Sequence, residues 1–175
     1  MICGRENPKK FRNYKPQNRR VELRIAAFCD TIIKRGIIMS YLKENFLLTN
    51  KTAEKLYSDY AENMPIFDYH CHLPEKVILE NKPFNDIFEI WLSGDHYKWR
   101  LMRNYGVNED YITGNKSNKE KFKAYCATLG TAFGNPLYHW SQVELKEFFN
   151  CELEVNAENA DTIWDWCNDY IKLNN

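Results

Sequence analysis

Long apolar runs are missing from this chain of 175 residues. Nothing approaches the roughly 18 consecutive apolar residues of a membrane span, so no membrane partner is expected. The apolar stretch Ile25–Cys29 is broken by Asp30 and has no small-residue cleavage site after it, which argues against a signal peptide. Internal repeats and low-complexity tracts are absent, and the 7 glycines form no phosphate-cradling loop. The six cysteines (Cys3, Cys29, Cys71, Cys126, Cys151 and Cys167) show neither a C-x-x-C pair nor disulfide-like spacing. With no export signal they read as reduced thiols of a cytoplasmic protein.

Net charge is also lacking, but its zero hides an asymmetry. Residues 1–38 hold 10 Lys and Arg against 3 Asp and Glu, while residues 39–175 hold 14 against 21. The two parts thus carry +7 and −7. At 44% hydrophobic and 15% aromatic, the chain has enough apolar surface to demand a core.

Periodicity predicts a mostly α chain. Asn50 caps a helix over about 51–62, with Ala53, Leu56, Tyr57, Tyr60 and Ala61 on one stripe. Short helices are expected over 75–80 and 85–92, the latter burying Ile87, Phe88 and Trp91. Asp95 caps a helix that Gly106 stops, and Ser117 with Glu120 forms a capping box for a helix ended by Gly130. A further helix holds Val143, Leu145, Phe148 and Phe149. Asn156 caps a last one that buries Ile163, Trp164, Cys167, Tyr170 and Ile171. These stripes read as core.

Two stretches carry chemistry. Asp68-Tyr69-His70-Cys71-His72 closes the apolar run Met64-Pro65-Ile66-Phe67, and Pro74 follows. On a strand near 65–72, Asp68, His70 and His72 share one face, where two imidazoles can grip a divalent metal and the aspartate can orient one of them. Cys71 points to the opposite face. The same residues also fit two half-exposed polar histidines at a strand end. In Gly94-Asp95-His96-Tyr97-Lys98-Trp99-Arg100, a helix start gathers an imidazole, a phenol and two cations. Taken by itself, the stretch reads first as a capped amphipathic helix with Trp99 and Met102 in the core and its charges solvated.

Taken in order, several segments resemble one family. They are Glu44-Asn45-Phe46-Leu47-Leu48, Ile66 to Pro74, Ile90-Trp91-Leu92 and Gly94 to Arg100, followed by Asn135-Pro136-Leu137-Tyr138-His139-Trp140 and Glu144-Leu145-Lys146. Residues 39 to about 172 are similar to the N-terminal part of uronate (glucuronate) isomerase, of the amidohydrolase superfamily. The resemblance implies a (β/α)8 TIM-barrel enzyme, of which this chain carries the first strand and an inserted helical region over 75–175. It also implies an aldose–ketose isomerase that interconverts D-glucuronate with D-fructuronate and D-galacturonate with D-tagaturonate. The proton would move from C2 to C1 with the help of a divalent metal, zinc in the first place and manganese as the alternative. His70 and His72 match the metal ligands, Tyr97 a proton-transfer tyrosine, and His96 a substrate contact. Arg100 is a candidate partner for the uronate carboxylate, and Lys98 receives no assigned role. His139 reads as a packed structural histidine. A hexuronate is the expected partner, in a full-length enzyme that is a candidate homo-oligomer; no nucleic acid is expected.

Residues 1–38 have no place in that pattern. They are expected to be a basic extension outside the fold, upstream of a natural start at Met39. A nucleic-acid-binding arm is the second reading, weakened by sparse aromatics (Phe11, Tyr14, Phe28) and the lack of a motif. A barrel needs about 250 residues, and two imidazoles do not complete a catalytic metal site. The chain alone is therefore expected to be inactive. A non-catalytic helical interaction module or remnant, and another metal-dependent amidohydrolase, stay as alternatives.

Overall fold

Side-chain caps decide where the helices of this chain begin. A computed structural model describes residues 42, 45–67, 69, 70 and 74–174, which fall into two units. The basic extension predicted at 1–38 lies outside them, as do Asp68, Cys71 and His72.

The first unit contains residues 45–67 and 69. Its helix α1, Lys51–Leu56, is capped by the Asn50 side chain, which accepts from the Ala53 N–H at 3.0 Å. It then widens into a π-helical turn, Tyr57–Ala61, closed by the Glu62 N–H on the Tyr57 carbonyl. The core stripe expected on this helix is not buried: Leu56, Tyr57 and Tyr60 are all exposed. A π turn adds a residue to the helical repeat, so positions beyond it rotate away from those before it. That turns Tyr60 and Ala61 off the stripe; Leu56 lies before the turn and is exposed on the regular helix.

The second unit contains Leu42, His70 and residues 74–174. Its helices are α2 (Glu75–Glu80), α3 (Ile87–Trp91), α4 (His96–Asn104), α5 (Asn118–Leu129), α6 (Pro136–Phe149) and α7 (Ala160–Asn174), with a 3₁₀ turn at Glu109–Tyr111. The capping box at Ser117 and Glu120 is formed in both directions. Asn156 accepts from the Asn159 N–H in the turn that leads into α7. Gly106 ends α4 at φ +76°, a left-handed conformation that suits glycine. Gly130 ends α5 for a different reason. Its backbone is right-handed, but a Cβ there would lie 2.9 Å from the Asn156 Cβ, so only glycine lets the two segments approach.

Helix α5 is the hub and packs against α3, α4, α7 and the 3₁₀ turn. It presents Phe122, Tyr125, Cys126 and Leu129, all fully buried, at steps of three, four and seven. Ile87 and Trp91 of α3 and Ile163, Cys167 and Ile171 of α7 complete the centre of the core. On α6 the buried stripe is Tyr138, Ser141, Gln142, Leu145 and Phe149. The expected core residue Phe148 is exposed, because it stands about 100° around the helix from Phe149.

No strand occurs among the described residues. Of the strand expected near 65–72, residues 65–67, 69 and 70 carry no regular structure. A strand is defined by its ladder, and no second strand to pair with occurs among the described residues. Among the described residues, no helix is long and apolar enough to cross a membrane.

Candidate functional site

The first turn of α4 gathers the reactive side chains. Asp95 caps it: one carboxylate oxygen accepts from the Tyr97 N–H at 2.9 Å and the Lys98 N–H at 3.2 Å. An acidic cap satisfies otherwise orphaned donors and opposes the positive end of the helix dipole. His96 and Tyr97 are the first two residues inside the cap, and both are exposed. Their rings lie 4.4 Å apart, tilted by 32°. One turn on from His96, the Arg100 guanidinium sits over the Tyr97 ring, 5.0 Å from its centre. An imidazole, a phenol and a guanidinium thus share one solvent-facing patch. It offers hydrogen bonds to hydroxyls and a planar donor fork for a carboxylate.

Lys98 turns the other way. It is 7% exposed, with Nζ 3.5 Å from the second Asp95 oxygen and 5.5 Å from the centre of the Trp91 ring. The sequence alternative that left all the charges of this helix solvated fails at this residue. Glu144 on α6 is coupled to the same cation. Burial pushes its carboxyl up; Lys98 opposes the rise and the Asp95 carboxylate adds to it. Trp99 anchors the helix by donating its indole N–H to the Leu92 carbonyl at 2.6 Å, and Met102 is in the core as expected. The Lys98 cluster had no sequence signal, because which face of α4 turns inward depends on α5.

The histidine pair is only partly placed. His70 is exposed, and His72 and Asp68 lie outside the described residues. Among the described residues no three His, Cys, Asp or Glu side chains come together as metal ligands. The described donor set therefore does not make a complete metal centre. His139 is half-buried on α6, edge-on to the Tyr138 ring at 6.0 Å, as a packed histidine would be. An open cleft of about 590 Å³ in the first unit, lined by Lys51, Glu54, Lys55, Asp59 and Glu62 among others, contains none of the predicted site residues. Cys126, Cys151 and Cys167 are buried, and burial raises Cys126 and Cys167 well above the usual thiol range.

A family model described as glucuronate isomerase matches residues 38–175. A uronate isomerase of Geobacillus stearothermophilus is 53% identical over 132 residues, which are 75% of this chain and 28% of that protein. One from Clostridium acetobutylicum is 53% identical over 129 residues, 74% of this chain and 28% of its own length. The crystal structure of a uronate isomerase from Thermotoga maritima superposes with a TM-score of 0.71 at 42% identity, covering 75% of this chain and 29% of that one. The glucuronate isomerase structure from Caulobacter crescentus shares the fold, with a TM-score of 0.66 at 22% identity. The chain thus spans under a third of the length of these relatives.

Proposed function

Because the chain belongs to the glucuronate isomerase family, we propose that it forms the N-terminal part of an enzyme that isomerises hexuronates, with the first turn of α4 as part of the substrate site. The observation that carries this reading is the joint exposure of His96, Tyr97 and Arg100 on one patch inside the matched segment. The substrates are D-glucuronate and D-galacturonate, and the products D-fructuronate and D-tagaturonate. In the full-length enzyme the segment that carries His70 and His72 would pair as the first strand of a TIM barrel.

The reaction moves a proton from C2 to C1 through an enediol. It needs a group that accepts from one carbon and returns the proton to its neighbour. Tyr97 has its phenol in reach of solvent, and the Arg100 cation above the ring places positive charge beside it. The same guanidinium is a bidentate partner for the uronate carboxylate, which would fix the sugar with its C1–C2 end along the patch. His96 hydrogen-bonds the hydroxyls. His70 and His72 are the residues that would hold a divalent metal, zinc or manganese. When bound, such an ion supplies Lewis-acid stabilisation of oxyanion charge. Two imidazoles fall short of the three protein ligands usual in such a centre. The 175-residue polypeptide by itself is therefore expected to leave D-glucuronate unconverted. The buried Cys126 and Cys167 thiols fit a reducing, cytoplasmic setting.

The test is a chimera in which residues 38–175 replace the matching segment of the Geobacillus stearothermophilus uronate isomerase. Conversion of D-glucuronate to D-fructuronate at a rate near that of the parent enzyme is the expected result. A folded chimera that binds metal but leaves glucuronate untouched would overturn the reading.

A further inference from the structure

Lys98 is a charged residue in a place that charge avoids. Taking an ammonium out of water costs several kcal/mol unless partners replace the lost hydration. Here the partners are the Asp95 carboxylate at 3.5 Å and the face of Trp91 at 5.5 Å. Asp95 also carries two jobs. One oxygen takes the Tyr97 and Lys98 N–H groups, and the other faces the Lys98 ammonium. A cap needs only the first of these. An aspartate held by N–H groups on one oxygen alone can still swing about its side-chain torsions, and the first turn swings with it. With the ammonium 3.5 Å from the second oxygen, an ion pair adds to the two N–H hydrogen bonds in holding the carboxylate, and with it the first turn that carries His96 and Tyr97.

We propose that Lys98 is a positioning residue whose buried ammonium, ion-paired with Asp95, sets the close, tilted approach of the His96 and Tyr97 rings. The inference rests on the reading of that patch as the substrate site. It also accounts for a solvent-facing pair of rings held 4.4 Å apart: the backbone beneath it is clamped from the inside. Arg100 then adds its guanidinium from above.

The test uses the whole 175-residue chain, carbon-13 labelled in its histidine and tyrosine rings and observed by NMR without sugar or metal. The His96 ring signal, identified by its loss in His96→Gln, should be displaced by the ring current of Tyr97. In Lys98→Met the displacement should be lost while the buried Tyr125 and Tyr138 signals stay dispersed, and Lys98→Arg should restore it. An unchanged His96 signal in folded Lys98→Met overturns the proposal, as does a failure of the arginine to rescue. Should Lys98→Met fail to fold, Asp95→Asn decides, since asparagine still caps but offers no charge to the ammonium. Loss of the displacement in that variant supports the clamp, and its persistence overturns it. The readout needs no activity, so a negative result here leaves the isomerase reading standing, and an inactive chimera leaves the clamp standing.

Discussion

Single residues of this chain act through partners that sequence distance conceals. The Asn168 side chain on α7 accepts the N–H of Ile87, the first residue of α3, at 2.9 Å inside the core. That N–H would otherwise be a buried orphan at a helix start. Replacing Asn168 with Leu, close in volume but unable to accept, should cost about 1–3 kcal/mol in chemical denaturation. An unchanged denaturation midpoint would mean that the bond contributes nothing. The sequence does place Lys98 and Arg100 about 200° apart on one helix, so they must face differently. It does not say which of them faces in. The answer comes from Trp91, which meets Lys98 only once α3 and α4 are packed. His96 and Tyr97 were legible for a simpler reason: the Asp95 cap fixes where the helix starts, and the two residues after it have little choice of place.

Among the elements, α5 is the one whose start is best secured. Its capping box joins the Ser117 hydroxyl and backbone to Glu120. Ser117→Ala should cost about 1 kcal/mol, measurable as a lower midpoint in urea. The same box makes the helix sensitive to acid. Hydrogen bonds from the Ser117 side chain and backbone, and then from Lys116, hold the exposed Glu120 carboxyl at about 2. Glu109 is held at about 2 first by Arg103 and then by Thr113. Both folded values are depressed, so their stabilising contribution is fully present above the ordinary carboxylate range of about 4.3. It is lost as pH falls from there toward about 2. Thermal melts across that window should show a falling Tm. Glu120→Gln keeps a hydrogen-bonding side chain in the box but removes the titration, and should flatten part of the fall. A slope identical to the parent's would remove Glu120 from the account. Caps such as Asn50, Asp95, Ser117 and Asn156 are local and were readable. The π turn after α1 is not written in any cap or breaker.

At the scale of the molecule, the second unit is held by a core centred on α5. Phe122 is fully buried between Trp91 and Trp164, with ring centres at 6.0 and 5.5 Å. Phe122→Ala should cost about 3–5 kcal/mol by denaturant titration. A cost below 1 kcal/mol would show that the three-ring cluster is not central. The helical character and most of the core could be read from periodicity. The barrel could not, because strands exist only in pairs and the single expected strand has no partner among the described residues. The histidine pair suffers in the same way: its spacing is local, but a metal centre is assembled from distant parts of a chain.

The claim on which the rest depends is that the start of α4 handles the sugar. It is tested most directly by the kcat of the chimeric isomerase for D-glucuronate with and without Tyr97→Phe, which removes one hydroxyl from an exposed ring. A fall of roughly 10²- to 10⁴-fold, the usual worth of a positioned acid–base group, with the fold and metal content unchanged, is the predicted result. A kcat within a few-fold of the unsubstituted chimera would contradict it.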